Sequence, residues 1–453
     1  MSYNEIINLI LLIISTLIGI LTIHSTFFLI VGLFAKKTYP SAKKKLKYGI
    51  IIPARNEGKV VGNLIKSIQK NDYPQDKLQI FVIAHNCTDQ TANIARELGA
   101  TVYELNDATK NKKGYALQYT FEQIEKDFGT QSFDGYFVFD SDNILTENYI
   151  TKMNDAFVYY NQKQVVVSCR NSKNFGSNVI SSLYGLWFMK SCRLECRGRT
   201  VCGCSTRVQG TGFMFSSKTI ENGWNYLTIS EDTEFTADQV LNGNNIAYCD
   251  EAMFYDEQPT SIKIMFRQRL RWCRGHLIVF VKKSKALFAN LFKSRKKVKN
   301  KFSNYDTFVL VLPILVFSFF IALLQIILLA FTPLATPNYA EIWHSYLISL
   351  LIGIGTGYLI SALSAALAFI VEHKRIKGVS PFTKILTVIL WPIFDFLSIP
   401  LSIIAIFKNV EWKAIPHTDT TNFEKLDAMQ NQTSQTKLKD FCDEDENKVT
   451  ENN

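Results

Sequence analysis

This sequence lacks two familiar patterns, the cysteine spacing of a zinc site and internal repeats, and each absence excludes a class of protein. None of the nine cysteines has the spacing of a zinc site, because Cys202 and Cys204 are only one residue apart and neither a second pair nor a histidine stands near them. No segment of the chain repeats internally. We therefore expect neither a zinc module nor a repeat array, and we assign the cysteines to a reducing, cytosolic compartment.

The N-terminal apolar stretch lacks the basic start, the short apolar run and the small-residue cleavage site of a secretory signal. Instead, Ile6 to Phe34 is almost uninterrupted apolar sequence, whereas roughly 20 such residues suffice to span a bilayer. It is followed by Lys36, Lys37, Lys43, Lys44, Lys45 and Lys47. Because positive residues collect on the cytosolic side of a span, we predict a retained membrane helix whose carboxyl end faces the cytosol.

The formal net charge of +10 does not indicate a nucleic-acid-binding protein. The basic residues gather beside the apolar stretches, which is where membrane topology places them. A mean hydropathy of +0.04 hides the same segregation, since apolar residues crowd into the N-terminal stretch and into residues 305–407. We therefore expect a lipid bilayer as a partner, no nucleic acid, and a multi-pass protein of the cell membrane.

Three further apolar segments follow the middle of the chain, at Phe308–Phe331, Ser345–Val371 and Ile385–Phe407. The last contains Pro392, Asp395 and Pro400, so it could be broken or re-entrant. Four complete crossings with a cytosolic middle would place both termini outside, and the side of the tail depends on this last segment. We divide the chain into an N-terminal span with a basic linker (1–46), a cytosolic α/β domain (47–258), interface helices (259–302), C-terminal spans (303–408) and a polar, disordered tail (409–453).

The middle of the chain alternates short apolar strands with helical stretches. Strands are predicted at Tyr48–Ile52, Gln79–Ala84, Thr101–Leu105 and Tyr136–Phe139, and further along at Gln164–Cys169, Arg207–Phe215 and Ile246–Cys249. Helical stretches separate the first four strands, after Gly58 and over Thr88–Leu98 and Lys113–Lys126. Crossovers of this length join parallel neighbours, so we predict an α/β domain with a mainly parallel sheet.

Asp140, Ser141 and Asp142 directly follow the apolar strand Tyr136–Phe139. Alternation along an extended chain would direct both carboxylates to one side at the carboxyl end of the strand, where open α/β sheets bind ligands. Carboxylates hold hard divalent cations that also contact substrate phosphates. We interpret these residues as a metal–diphosphate site, against the alternative of a solvated turn.

Other polar groups and glycines follow the predicted strands and suit a nucleotide-sugar donor. They are Pro53, Arg55, Asn56 and Glu57 after the first strand, His85 and Asp89 after the second, Lys113 at the start of a helix, and Gly210, Thr211 and Gly212 further along. Each has a local alternative, because the residues near Asn56 and Asp89 could cap helices, Lys113 could belong to a solvated loop, and the glycines could mark a bulge.

Ser230, Glu231 and Asp232 precede a helical run. Asp232 is the best placed candidate for a general base, since candidates for the roles that sugar transfer requires occur in order along the chain. The alternative is that Ser230 or Asp232 only caps the helix.

The aromatic and basic residues that alternate over Ser261–Phe292 predict a helix in the membrane interface. Gln268, Arg271 and Trp272 stand at i, i+3 and i+4, with Arg269 between them. The three therefore share one helical face, which could be turned toward the α/β domain. The alternative is that they anchor the helix to lipid headgroups.

In this order the motifs resemble those of the membrane-integrated family 2 glycosyltransferases that carry a QxxRW motif, relatives of the cellulose, chitin and hyaluronan synthases. The resemblance extends from about Tyr48 to His276 and rests on Pro53–Glu57, Asp89, Lys113-Gly114, Asp140-Ser141-Asp142, Gly210-Thr211-Gly212, Ser230-Glu231-Asp232, Tyr255–Pro259 and Gln268-x-x-Arg271-Trp272. It implies a Rossmann-like fold of the glycosyltransferase A (GT-A) type. Two positions depart from the pattern, because the family often has aspartate where His85 stands and threonine where Ser230 stands.

The resemblance also implies the roles of the site residues. Asp140 and Asp142 would serve UDP and a Mg²⁺ or Mn²⁺ ion, with Ser141 and the other donor residues around them. Asp232 would be the catalytic base, with Glu231 beside it. Gln268, Arg269, Arg271 and Trp272 would bind the diphosphate and line the acceptor entrance.

The expected reaction is the inverting transfer of a sugar from a UDP-sugar to a hydroxyl group, which gives a β-linked product. We favour a growing polysaccharide as the acceptor, extruded through the spans, because a lipid acceptor does not obviously require four apolar segments. A single addition to a membrane lipid is the alternative, since both kinds of enzyme carry the QxxRW signature. A third hypothesis is an inactive nucleotide-binding domain on a transporter or receptor.

Overall fold

The computed structural model describes residues 3–330, 339–415, 417–422, 424–426 and 428. The strands of its middle part are β1 (Tyr48–Ala54), β2 (Leu78–His85), β3 (Thr101–Leu105), β4 (Gly135–Val138), β5 (Ile144–Leu145), β6 (Val165–Ser172), β7 (Phe213–Ser216) and β8 (Ile246–Asp256). They form one sheet in the order β3-β2-β1-β4-β7-β6-β8-β5. β7 runs antiparallel to β4 and β6, and β5 runs antiparallel to β8, whereas the other pairs are parallel. The predicted α/β fold with a mainly parallel sheet is confirmed.

The centre of the parallel half is β1, which pairs with β2 on one side and β4 on the other. Its isoleucines Ile50, Ile51 and Ile52 are completely buried. Strands covered on both faces need such a continuous apolar run, and β-branched side chains suit the extended backbone. This local pattern is why the sequence predicts the strand correctly.

One predicted strand is shorter than expected, and two elements were not predicted. β7 begins at Phe213 rather than Arg207, because Gly210 and Gly212 have φ angles of 86° and 66°. That left-handed conformation is incompatible with an extended strand, so the residues before Phe213 form a loop. β5 and a helix at Tyr149–Tyr159 follow the Asp140 turn and have no clear periodic signal in the sequence.

The helices cover both faces of the sheet and continue into the apolar segments. In chain order they are α1 (Tyr3–Phe34), α2 (Val61–Gln69), α3 (Thr91–Glu97), α4 (Lys113–Asp127), α5 (Tyr149–Tyr159), α6 (Val179–Lys190), α7 (Arg197–Val201), α8 (Glu231–Leu241), α9 (Ile262–Phe292), α10 (Lys301–Val311), α11 (Ile314–Ala330), α12 (Tyr339–Val371), α13 (Pro381–Phe396) and α14 (Ser398–Phe407). A π-helical turn, Ser191–Cys196, joins α6 to α7.

Two apolar cores flank the sheet. One contains Leu64 of α2 and Met153 of α5. The other contains Phe121 of α4 and Tyr184 of α6, and it continues into Phe394 of α13. The second core therefore joins the α/β domain to the apolar C-terminal segments without a break.

Three helices in the described residues are long and apolar enough to cross a membrane, at Leu12–Phe34, Tyr339–Val371 and Pro381–Phe407. A bent pair, Lys301–Val311 and Val316–Ile327, meets the same test if its two helices count as one span with a 55° bend. The end of the second predicted span, at Phe331, and most of the following loop lie outside the described residues.

The fourth apolar segment packs along the α/β domain and α9 instead of leaving them. Arg269 of α9 donates to the carbonyl of Phe394 and to Ser398 Oγ, which lies 2.6 Å from its guanidinium. Arg274 donates to the carbonyl of Ala405 at 2.9 Å. The described tail beyond this segment, at residues 412–415, 417–422 and 424–426, contacts the α/β domain.

A buried ion cluster ties the loop before the fourth segment to the sheet. Asp250 of β8 accepts from Arg197 at 2.6 Å and from Arg375 at 3.0 Å. Burial alone would raise the pKa of Asp250, but the two arginines outweigh it and lower the pKa to about 2. Asp250 therefore remains charged and fixes Arg375, which lies between α12 and α13, against the domain.

We expect Asp250→Asn to destabilise the protein by about 3–5 kcal/mol, because removing one partner of a buried ion pair leaves two arginines uncompensated. Thermal unfolding in lipid nanodiscs at pH 7 measures the loss. Since the folded-state pKa lies below the ordinary 3.8, this stabilisation is present above pH 3.8 and is lost as the pH falls toward 2. The control is Asp76→Asn, which changes an exposed side chain. Equal melting temperatures for the two variants would contradict the prediction.

Candidate active site

A cavity of about 350 Å³ opens beside the carboxyl ends of β1, β2 and β4. Its size and position are those of a ligand site in an open α/β sheet. The predicted site residues that line it are Pro53, Arg55, Glu57, His85, Lys113, Asp140, Ser141, Asp142, Gly210, Glu231, Asp232, Gln268, Arg271 and Trp272. Residues separated by more than 200 positions in the chain thus meet in one cavity.

Asp140 and Asp142 lie in a turn beyond β4, so strand alternation is not what orients them. The amide of Asn143 donates to the carbonyl of Asp140 at 3.1 Å, which closes the turn. Thr211 braces it, because its hydroxyl accepts from the amide of Asp140 at 2.8 Å and donates to Asn143 Oδ1 at 2.5 Å. The two carboxylates differ in environment, since Asp140 is 39% exposed and Asp142 is buried.

The carboxylates at this turn fit a hard divalent cation that is shared with a diphosphate. Within the described part of the chain, no group of three or more histidine, cysteine or acidic side chains is arranged to hold a metal alone. Asp140 and Asp142 nevertheless both face the cavity, and Asp142 uses one oxygen to accept from the Glu257 amide at 2.7 Å. A Mg²⁺ or Mn²⁺ ion commonly takes only one or two carboxylates and completes its shell with phosphates and water.

Lys113 places a positive charge at the centre of the acidic residues. Its ammonium group lies 2.5 Å from Asp140 Oδ1 and 2.8 Å from the carbonyl of Gly210. Burial alone would lower the pKa of Lys113, but Asp140, Glu231 and Asp232 outweigh it and raise the pKa. Lys113 is therefore a permanent cation, positioned where a diphosphate would meet the Asp140 turn.

Glu231 and Asp232 begin α8 and present a pair of carboxyl groups to the cavity. Burial, followed by the neighbouring charge of Asp232, raises the pKa of Glu231 to about 7. Asp232 Oδ1 accepts from the Thr233 amide at 2.8 Å, within the first turn of the helix. Glu231 therefore holds a proton more readily than an ordinary carboxyl group.

The interface helix α9 reaches the cavity because a glycine allows close contact with the start of α8. A Cβ atom at Gly275 would lie 1.8 Å from Ser230 Oγ. One turn earlier, Arg271 donates to the carbonyl of Ile229 at 3.1 Å. Gln268 and Trp272 line the cavity from the same helix, and Gln268 Oε1 is buried with no hydrogen-bond partner among the described residues.

Arg269 does not belong to this site, and its predicted role is corrected. Its side chain is buried outside the cavity, where it bonds Phe394 and Ser398 and lies 4.1 Å from the centroid of the Phe394 ring. Helical spacing explains this, because residues i and i+1 do not share a face.

Four other predicted donor residues lie beside the cavity without lining it. Asn56 accepts from the Thr88 amide at 2.8 Å, and Asp89 accepts from the Gly58 amide at 3.0 Å, so both join the first two strand loops. Thr211 braces the Asp140 turn as described. A Cβ atom at Gly212 would lie 2.2 Å from the Phe254 ring, so this glycine serves packing.

Sequence reasoning missed part of the cavity wall. Arg170 of β6 lines the cavity, donates to Asp256 at 2.8 Å and lies 3.5 Å from the centroid of the Phe188 ring. Asp256 stands in the motif Tyr255–Pro259, which was the only signal that could have led to it. No local pattern marks Arg170, because it reads as an ordinary strand residue.

The described tail covers the end of the cavity that Arg55 and Glu57 line, although no sequence pattern indicated a role for this part of the chain. The guanidinium carbon of Arg55 lies 5.3 Å from the centroid of the Trp412 ring, and His417 Nδ1 lies 2.8 Å from Glu57 Oε1. Burial alone would lower the pKa of His417, but Asp142, Glu57 and Glu257 outweigh it and raise the pKa to about 10. His417 is therefore an imidazolium, and its charge is balanced by the acidic residues of the site.

The mixed sheet, with its cavity at the strand ends and its acidic turn after β4, is a fold of the GT-A type. A sequence model described as "Glycosyltransferase like family 2" matches residues 46–275. The chain belongs to this glycosyltransferase family. The family assignment covers just over half of the sequence and ends within α9.

Named relatives match the same region at low identity. "Probable glycosyltransferase YdaM" of Bacillus subtilis is 25% identical over 257 residues, which cover 56% of this chain and 60% of the relative. "Beta-monoglucosyldiacylglycerol synthase" of a Nostoc species is 25% identical over 238 residues, which cover 50% of this chain and 48% of the relative. The match therefore spans about half of the length of these curated relatives.

Among solved structures, the chain is similar to the mannosyltransferase PcManGT from Pyrobaculum calidifontis, in complex with GDP-Man and Mn²⁺. The TM-score is 0.53 at 13% identity, and the match covers 82% of this chain and 98% of that one. At this identity the likeness shows the fold alone.

We expect Gly275→Ala to destabilise the protein by about 1–3 kcal/mol and to lower its activity, because the added methyl group would separate α9 from the start of α8, which carries Asp232. Thermal unfolding in nanodiscs, together with the rate of UDP release from a UDP-sugar, measures both effects. Gly353→Ala is the control, since nothing lies within 4 Å of its added Cβ. Adding Ser230→Gly removes the atoms that clash and should restore stability. If the double variant is no more stable than Gly275→Ala, the close contact is not the cause.

Proposed function

We propose that the protein transfers a sugar from a UDP-sugar to a hydroxyl group of an acceptor at the membrane surface, with inversion at the anomeric carbon. The observation that carries this proposal is the meeting of Lys113, the Asp140 turn, Asp232 and Arg271 around one cavity. These groups supply what the reaction needs, namely cations for a leaving diphosphate, carboxylates for a metal and a carboxylate base.

The donor end of the cavity would hold the nucleotide diphosphate. Asp140 and Asp142 are the residues that would bind Mg²⁺ or Mn²⁺, and the ion would offset negative charge on the departing UDP. Lys113 and Arg271 contribute fixed positive charge from the protein itself. Preorganised charge of this kind is commonly the largest contribution to catalysis, because no reorganisation is needed as the leaving group develops its charge.

Asp232 would accept the proton of the attacking hydroxyl. One of its oxygens is held by the Thr233 amide, and the neighbouring Glu231 holds a proton more readily than an ordinary carboxyl group. Attack on the face opposite the leaving UDP converts an α-linked donor into a β-linked product. General-base help of this kind typically contributes about 10²–10⁴-fold to the rate.

The catalytic domain is proposed to face the cytosol, where nucleotide sugars are available. Six lysines follow α1, and a further basic run lies between α9 and α10. Positive residues on this side support a cytosolic domain. The packing of α13 and α14 along α9 supports an interfacial position for the fourth segment, and the tail then stays in the cytosol with the domain.

The acceptor we place first is a growing β-linked polysaccharide. Trp187, Phe188 and Trp272 form an aromatic wall of the cavity, a surface suited to the flat face of a sugar ring. A membrane lipid is the second candidate. It is favoured by the described lining of the cavity, which includes no residue of α1 or of α10–α14, and by the name of the Nostoc relative.

We expect Asp232→Asn to reduce sugar transfer about 10²–10⁴-fold while the affinity for UDP stays unchanged. Full-length protein in nanodiscs is tested with UDP-glucose, UDP-N-acetylglucosamine and UDP-glucuronate, with and without Mn²⁺, and UDP release is measured. Asp76→Asn is the matched control. Full turnover by folded Asp232→Asn would refute the base assignment. No turnover of any donor by the wild type would favour an inactive nucleotide-binding domain.

We expect radiolabelled sugar to appear in products of many units, because the aromatic wall can hold the end of a chain between additions. Size-exclusion and thin-layer chromatography after incubation separate polymer from lipid-extractable material. Products that carry one sugar on a lipid, at every ratio of donor to enzyme, would establish the second candidate instead.

A further inference from the structure

His276 of α9 lines the cavity, although no sequence motif indicated it. Gln268, Trp272 and His276 stand four residues apart along α9 and therefore lie on one face. All three line the same cavity as Asp232. His276 is the last of them along the chain.

The close contact at Gly275 brings this histidine to the base. Gly275 lies against Ser230, two residues before Asp232, with no room for a Cβ atom between the two segments. The next residue of α9 is therefore held beside the start of α8. Asp232 and Arg207 are the charged groups that act on the ring of His276.

The ring of His276 is neutral and free to bind a ligand. Burial lowers the pKa of His276, and the nearby carboxylate of Asp232 offsets this only in part. A neutral imidazole offers one N–H donor and one acceptor nitrogen. The described residues give neither ring nitrogen a hydrogen bond, and they leave Asp232 Oδ2 without a donor as well. Two polar groups on adjacent helices thus face one space without partners.

We propose that His276 binds a second hydroxyl of the acceptor, next to the hydroxyl that attacks, and so holds the attacking oxygen against Asp232. The acceptor class is then one with two neighbouring hydroxyls, such as the terminal sugar ring of a glycan or of a glycolipid. This inference rests on the proposed function and adds a residue that selects the acceptor and the position of the new linkage. The proton of the attacking hydroxyl still passes to Asp232.

The test uses full-length protein in nanodiscs, with UDP-glucose and UDP-N-acetylglucosamine as donors and with octyl β-glucoside and chitotetraose as acceptors. We expect His276→Ala to lower kcat/KM for the acceptor about 10- to 100-fold, through loss of a hydrogen bond that positions the substrate. The affinity for UDP and the slow hydrolysis of the donor by water stay unchanged, since both depend on the residues that would bind the UDP-sugar and not on the acceptor. Products of more than one linkage position are expected. His276→Gln, which keeps a donor and an acceptor, retains part of the activity.

The matched control is His373→Ala, because His373 is exposed and bonds only the Ile370 carbonyl of its own turn, at 2.9 Å. Acceptor kinetics of His276→Ala that equal those of His373→Ala would overturn the proposal. An equal fall in transfer, donor hydrolysis and UDP affinity would also overturn it, because it would show a structural role. If His276→Ala does not fold, the same comparison is made with His276→Gln. Wild-type protein that binds UDP but transfers no sugar would refute the proposed function itself.

Discussion

The contact between α9 and the start of α8 is the constraint on which the rest of the site depends. α9 lies along the apolar segments, and α8 carries the two carboxyl groups that face the cavity. Gly275 brings the two helices together, and Lys282 and Lys283 extend the contact through ion pairs with Glu234 at 3.2 Å and Asp238 at 2.5 Å. The position of Asp232 is therefore set by a helix whose own position is fixed by the C-terminal segments, through Arg269 and Arg274.

This arrangement also links the apolar C-terminal segments to the wall of the cavity. The second apolar core of the sheet continues into Phe394 of α13, and the Asp250 cluster ties the preceding loop to β8. Since neither link can be broken without exposing apolar surface or unpaired charge, the α/β domain and the C-terminal segments form one packed body. A separated domain would lose the wall of the cavity that contains Trp272 and Arg271.

Local sequence patterns predicted the parts of the fold that local physics determines. The isoleucines of β1 and the helical crossovers around it predict a parallel sheet. Most residues of the predicted site meet in one cavity. The sequence failed where long-range packing decides. The side on which Arg269 lies depends on the helical phase of α9 relative to α13, and Arg170 gains its role only when β6 and β8 pair. The loop before β7 depends on the left-handed conformations of Gly210 and Gly212, and the apolar pattern of Arg207–Phe215 gives no sign of them.

The tail that covers the donor end has a consequence for how the protein is made. Trp412 and His417 complete a cavity whose floor, around Arg55 and Glu57, is synthesised more than 350 residues earlier. A nascent chain on the ribosome therefore presents an uncovered cavity until the residues before Trp412 have been synthesised. The cavity is complete only after all the apolar segments have been made, so its last wall is also among the last parts of the chain to appear.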